Sequence, residues 1–280
     1  MRKSVLTVTD LTERSDAAVV WADTIARRRG WDLHVAHAVA LADRERGTDH
    51  AQLRQLERAI VVADAASRAQ MQRTIGRPRT LPTRVIDLDG VVPALLRRAT
   101  HLAPDLVVIA AGWPWSMNDS RPEALSADKV ARLGTNLLVV REPLPPDACR
   151  VVVALDPAQL DASLIQAAAR WSYWLREAMH AEGLNRVPDL DVVFMNSEGA
   201  APGVPAVLER EPASLIVVPL QALTVRAKHE RAVELMSYLL ERAHAPVLLL
   251  SPTQAPPWAV DLQRDAIAAI GARKAVSLIG

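Results

Sequence analysis

Short runs of β-branched residues alternate with helix-spaced segments along this chain, and halfway through the alternation starts again. Ser4-Val-Leu-Thr-Val-Thr-Asp10 is strand-like and ends in Asp; Arg150-Val-Val-Val-Ala-Leu-Asp156 has the same form. Gly90-Val-Val-Pro-Ala-Leu-Leu-Arg-Arg-Ala99 is echoed by Gly203-Val-Pro-Ala-Val-Leu-Glu-Arg-Glu-Pro212. Asp105–Ala111 is echoed by Ala213–Pro219, and Asn136–Arg141 by Ala245–Ser251. The spacings test the repeat: Leu106 and Leu137 are 31 positions apart, Leu215 and Val247 32. Val5 and Leu106, however, are 101 apart, whereas Val151 and Leu215 are only 64 apart. The second half is therefore 37 residues shorter, about one helix-plus-strand unit. Losing an edge unit breaks one strand pairing and losing a central one breaks two, so the missing unit belongs at a sheet edge. Leu190–Asn196 can match either Asp32–Ala40 or Thr83–Asp89.

In the first half, strands are expected at Val5–Asp10, Asp32–Ala40, Thr83–Asp89, Asp105–Ala111 and Asn136–Arg141. Helices are expected at Glu13–Arg29, Ala51–Ile75, Val92–Leu102 and Ser126–Leu133. Ser15 and Asp16 are N-cap-type residues, and Gly30 stops the first helix. Strands that are apolar throughout, with helices between them, imply a parallel sheet covered on both faces. Pro143, Pro145 and Pro146 mark a boundary. The organisation expected is an α/β chain of two doubly wound units, residues 1–145 and 146–253, with a tail at 254–280 in which Trp258–Ala272 can form a last helix.

Composition removes several function classes. Lys and Arg number 33 against 32 Asp and Glu, which argues against a nucleic-acid binder driven by a basic field. The single cysteine, Cys149, excludes an intrachain disulfide framework and a Cys-rich zinc site. Apolar runs such as Leu106–Ala111 fall far short of the roughly 20 residues of a membrane helix. The N-terminus runs straight into a strand-like stretch with no leader pattern, so the expectation is a soluble, cytoplasmic protein that engages neither membrane nor nucleic acid.

Several segments jointly carry a resemblance. Val8-Thr-Asp-Leu-Thr-Glu-Arg-Ser-Asp-Ala-Ala18, Trp21-Ala22, Ala26-Arg-Arg-Arg-Gly30 and Leu33-His-Val-Ala-His37 read like the opening of a universal stress protein. Leu106-Val-Val-Ile-Ala-Ala-Gly112 reads like that family's fourth strand, and His244-Ala-Pro-Val-Leu-Leu-Leu250 like its closing strand. The chain thus resembles a tandem universal stress protein. The resemblance implies sheets of order 3-2-1-4-5 that pair through their last strands, and, in nucleotide-binding members, ATP or AMP. It points to Asp10, Val39, Gly112 and Ser126 as nucleotide contacts in the first half. The family's phosphate loop has the form Gly-x2-Gly-x9-Gly-Ser/Thr, in which glycines let backbone amides approach the anion. Counted from Gly112, the second glycine falls on Trp115 and the third on Leu125, while Ser126 keeps the hydroxyl. Pro114 and Pro122 lack amide donors. In the second half Pro219 replaces the first glycine, and Gln221–Tyr238 contains none. Both nucleotide sites are therefore expected to be degenerate.

Each remaining signal has a bland reading. Asp10 is either a cap or loop residue or a nucleotide contact. Trp113 and Trp115 pack on the fold, plug the crevice, or mark a partner surface. His34 and His37 are three apart on one strand, face opposite ways and cannot share a metal. Asp87 and Asp89 open a loop. His229-Glu230 has no second His at helical spacing. Arg27–Arg29 and Arg97-Arg98 sit late in helices, where they offset the dipole. No Gly-x-Ser-x-Gly elbow and no Walker A run occurs. The reading is a non-catalytic stress-response protein without metal or required cofactor. Its halves would form an intramolecular pseudo-dimer, with further homodimerisation and an unidentified protein partner left open. An ATP- or AMP-binding tandem protein using the first-half site is the alternative, and an α/β enzyme a third option.

Overall fold

The computed structural model describes residues 3–38, 50–76, 83–87, 90–113, 124–142, 150–155, 162–179, 189–194, 204, 208–209, 213–220 and 229–251. Its elements, in chain order, are β1 (Ser4–Thr9), a 3₁₀ turn (Glu13–Ser15), α1 (Asp16–Arg29), β2 (Asp32–Ala38), α2 (His50–Thr74), β3 (Thr83–Asp87), α3 (Val91–Leu102), β4 (Leu106–Ala110), α4 (Ala127–Arg132) and β5 (Asn136–Val140). The second half contributes β6 (Arg150–Leu155), α5 (Ala162–Met179), β7 (Asp189–Phe194), β8 (Leu215–Pro219), α6 (His229–Arg242) and β9 (Val247–Leu250).

The strands form one nine-stranded sheet of order β3-β2-β1-β4-β5-β9-β8-β6-β7. The first five strands follow the 3-2-1-4-5 order. All pairings are parallel except β5–β9, where Leu137, Leu138 and Val139 lie opposite Leu249, Leu248 and Val247 in antiparallel register. β5 and β9, the closing strands, therefore meet, a pairing that the resemblance implied. The order β7-β6-β8-β9 has the form of β2-β1-β4-β5. β7 pairs with β6 as β2 pairs with β1, so Leu190–Phe194 stands beside β6 as Leu33–His37 stands beside β1. Among the described residues, β3 is the strand without a counterpart, and it lies at the sheet edge.

β1, β4 and β5 are buried along their whole length, which is why they read as continuous apolar runs rather than alternations. One face of the sheet carries α1 and α5. Its core holds Val5, Trp21, Ile25, Val108 and Leu138 from the first half and Val151, Val153, Trp171 and Leu248 from the second. The other face carries α3, α4 and α6 over Leu6, Val92, Leu95, Ile109, Leu137, Val152, Ile216, Met236 and Leu249. Both cores run through the β5–β9 seam without a break. Polar contacts fix its register. The Ser251 amide donates to Asn136 Oδ1 at 2.8 Å, and Arg141 Nη2 donates to the Leu240 carbonyl at 2.9 Å. On the α1/α5 face, Trp174 lies 5.1 Å from Trp31, and the Arg29 guanidinium sits 4.9 Å from the Trp174 ring centroid while pairing with Glu177.

Helix boundaries follow the local chemistry. Gly30 takes φ +64 and its amide donates to the Ala26 carbonyl, ending α1 in a left-handed cap. Ser15, read from its type as an N-cap, occupies the N-cap position of α1 with helical backbone and without a side-chain cap bond. Its hydroxyl donates instead to the Thr12 carbonyl at 2.8 Å, because a 3₁₀ turn precedes the helix. The tail, Cys149, Asp89, Asp156 and Pro143–Pro146 lie outside the described residues.

Candidate functional site

In a doubly wound sheet the ligand crevice opens where the strand order reverses, at the carboxyl ends of the strands. Here that point lies between β1 and β4, which pair in parallel from Val5↔Leu106 to Val8↔Ile109. Asp10 follows β1 and Gly112 follows β4, so the fold brings these two expected residues to the same end of neighbouring strands. Ser126 stands at the start of α4, the helix that leads on to β5.

The chain after β1 turns tightly. Leu11 adopts φ +67, and its amide donates to Thr9 Oγ1 at 3.1 Å. Asp10 Oδ1 accepts from the Thr12 amide at 3.1 Å and the Thr12 hydroxyl at 2.7 Å. That is an Asx-type turn: one carboxylate oxygen already serves its own loop. The next residues place Arg14 over β4. Gly112 has φ +101, and a Cβ added there would meet Arg14 Nη1 at 3.2 Å and Cδ at 3.3 Å. The one family-pattern glycine that the chain retains therefore faces an arginine side chain.

Trp113, directly after Gly112, is half-buried and packs against the core of the α3/α4/α6 face. Its indole Nε1 is buried with no hydrogen-bond partner. Ser126 is buried and caps α4, its Oγ accepting from the Lys129 amide at 3.2 Å. The adjacent Leu125 is 1% exposed and belongs to the core. Lys129 is 4% exposed, and its ammonium donates to the Ala124 carbonyl at 2.8 Å. Val39 and Trp115 lie outside the described residues.

Sequence reading missed Arg14, Lys129 and a buried polar cluster beneath the β1 turn. Thr9 Oγ1 donates to Gln70 Oε1 at 3.0 Å and is hydrogen-bonded to the Ser15 hydroxyl. Gln70 Nε2 donates to Ser15 Oγ at 3.1 Å and to Asp16 Oδ1 at 2.9 Å. Arg73 forks onto Asp16 with contacts of 2.6 and 2.9 Å, and this hydrogen bonding raises the Arg73 pKa. One signal was available: Ala63, Ser67 and Gln70, at helical spacing, are the small and polar residues that α2 buries. For Arg14 no periodicity gives a cue.

Among the described residues, no group of three His, Cys, Asp or Glu is placed to hold a metal, and no helix is long and apolar enough to cross a membrane. His34 and His37 are half-buried and fully buried respectively on β2. Burial lowers the His34 pKa, against the opposing pull of Asp32.

The geometry defines an α/β doubly wound sheet whose strand order reverses between β1 and β4. The model of the universal stress protein family matches residues 1–112, which run from the N-terminus through Gly112. No curated protein matches the chain. Among solved structures, one assigned to the universal stress proteins from Pseudomonas aeruginosa UCBPP-PA14 is 14% identical, covers 98% of this chain and 98% of its own, and superimposes with a TM-score of 0.51. A universal stress protein from Archaeoglobus fulgidus DSM 4304 is 12% identical, covers 89% of this chain and 96% of its own, with a TM-score of 0.51. A universal stress protein in complex with cAMP is 22% identical over 50% of this chain and 98% of its own, with a TM-score of 0.31. The first two likenesses establish the fold.

Proposed function

We propose that this chain is a non-catalytic stress-response protein of the universal stress protein type. In this reading two units, 1–145 and 146–253, act as an intramolecular pseudo-dimer, and the first unit's crevice does not take a nucleoside triphosphate. The observation that carries the reading is Leu125, buried in the core at the position where the family's loop has its third glycine. A phosphate loop needs a small residue there so that backbone amides can reach the anion. Supporting it, Ser126 already caps α4, and Asp10 is bonded to Thr12. The antiparallel β5–β9 register supports the pseudo-dimer, because it relates two similar strand orders edge to edge. A cytoplasmic location is part of the same reading.

The test is calorimetric titration of the full chain with MgATP, alongside Arg14→Ala. The unmodified chain is expected to show no binding at micromolar concentrations. Losing several charge-assisted bonds, each worth about 1.5–3 kcal/mol, weakens a triphosphate complex by orders of magnitude. Arg14→Ala, which removes a cation beside Gly112, is expected to bind no better, because a guanidinium attracts phosphate. Micromolar or tighter ATP binding by the unmodified chain would overturn the reading in favour of a nucleotide-binding stress protein.

A further inference from the structure

Among the described residues, the large hydrophobic side chains that stay exposed are Ile60, Val61 and Val62, and all three belong to α2. Val61 and Val62 are 68% and 67% exposed. A single exposed valine needs no explanation, but three consecutive large apolar residues on one helix make a patch. α2 packs beside α1 and β3, at the end of the sheet, and turns Ala63, Ser67 and Gln70 inward. At 3.6 residues per turn the opposite ridge carries Arg54, Glu57, Val61, Ala65, Arg68 and Gln72, and each of these is exposed.

The ridge is complementary to itself. Glu57 and Arg68 lie about three turns apart on the same side of it, and their midpoint falls beside Val62. An antiparallel copy of α2, related by a two-fold axis at the level of Ala63, sets Glu57 opposite Arg68 of the partner subunit. By symmetry Arg68 then faces the partner subunit's Glu57. The same axis sets Val61 against Ala65 of the partner subunit, a large residue against a small one, and Arg54 against the partner subunit's Gln72. A parallel copy in register would instead place Glu57 and Arg68 each against its own kind, which is repulsive. Arg68 Nη2 also holds Asp64 at 2.6 Å; a guanidinium has five N–H donors, so it can keep that contact and meet a second carboxylate. We propose that the outer ridge of α2 is a self-association surface, on which a second copy of this chain docks its own α2 antiparallel through Val61 and two Glu57–Arg68 pairs. This is an isologous contact, separate from the β5–β9 seam inside the chain. One pair of helices of 25 residues, each about 37 Å long, makes a small interface, so the dimer is weak and depends on concentration.

The experiment is sedimentation velocity of the full chain from low to high micromolar concentration at low ionic strength. Four variants accompany it: Val61→Glu, Glu57→Arg, Arg68→Glu and the double swap Glu57→Arg/Arg68→Glu. Reversible dimerisation is expected for the unmodified chain. Each single substitution weakens it about tenfold or more, because the two-fold axis doubles every change and like charges then face each other. The double swap restores it, since the pairs re-form with their signs exchanged. The substituted residues are exposed, and an unchanged Tm verifies the fold. A chain that stays monomeric throughout the range overturns the proposal. So does a double swap that associates no better than either single one. A dimer that survives Val61→Glu also overturns it, because that dimer is made elsewhere, at the β3 or β7 edge for example.

Discussion

α1 and α2 lie side by side on one face of the sheet and are held there by different physics. α1 buries Ala18, Val19, Trp21, Ala22, Ile25 and Ala26, an apolar stripe pressed on β1 and β4. α2 is 25 residues long, yet among its described side chains the buried ones are Ala63, Ser67 and Gln70. Its attachment combines hydrogen bonds from Gln70 and the Arg73–Asp16 fork with partial packing of Met71, and of Ile75 just after it, on the core, while Ile60, Val61 and Val62 stay exposed. Hydrophobic burial is non-directional and roughly additive in area; a hydrogen-bond cluster depends on each partner being in place. Among the described residues of the second half, α5 lies on the same face of the sheet as α1, and no strand lies beyond β7 as β3 lies beyond β2. A unit joined by a few directional bonds at a sheet edge can be absent without opening the core.

The contrast can be tested by substitution. Trp21→Ala should be the most damaging change, lowering unfolding free energy by about 3–5 kcal/mol in urea denaturation. It empties the α1 core and removes the indole bond to the Glu142 carbonyl. A loss below about 1 kcal/mol would mean that α1 is not the apolar anchor described here.

Gln70→Ala should cost less, about 1–3 kcal/mol, because it removes one buried partner each from Thr9, Ser15 and Asp16, which keep their other bonds. The sharper readout is native-state hydrogen exchange. Amides of α2 should lose protection while those of α1 and β1 keep theirs. Uniform loss across both helices would erase the distinction between them.

The smallest effect concerns the one charged residue buried on α1. Asp23 is 4% exposed and pairs with the largely solvated Arg27. Burial raises its pKa above 3.8, and Arg27 only partly opposes this. Asp23→Asn leaves an exposed arginine that water can solvate, so at neutral pH stability should change by less than about 1 kcal/mol. The sign with pH follows from the raised value. The folded state holds the Asp23 proton more tightly, so its contribution is full below 3.8 and is lost as pH rises through the folded value. Acidification toward pH 3.8 should therefore favour the parent chain over Asp23→Asn in paired denaturation curves. A difference that moves the opposite way would show that Arg27 outweighs burial.

Much of the sheet was legible because each central strand is buried on both sides and so appears as an uninterrupted apolar run. Val5–Asp10 and Asp105–Ala111 announce β1 and β4 in this way. The alignment of Leu190–Asn196 was not legible, since an edge strand has a neighbour on one side only and its sequence records less of its position. The crevice was half legible. Ser126 before a helix and Gly112 after a strand are local signals, and the structure places both at element boundaries. Arg14 against Gly112, however, and Gln70 against Thr9, 61 residues away, arise only when distant segments are packed together. Ser15 does stand at the N-cap position of α1, but with φ −82 and ψ −6 it makes no side-chain cap bond, because a 3₁₀ turn is already under way.

The β5–β9 seam has a consequence for behaviour in solution. Two sheet edges that belonged to separate molecules would meet in proportion to concentration and part on dilution. Here both edges are on one chain, and nine residues separate the end of β5 from the start of β6. Short tethers hold joined elements at effective concentrations in the millimolar range. The seam should therefore persist at the lowest concentration at which the protein can be detected. An edge already occupied from within the chain is also closed to strands of other molecules, which leaves β3 and β7 as the ends of the sheet where further strands could add.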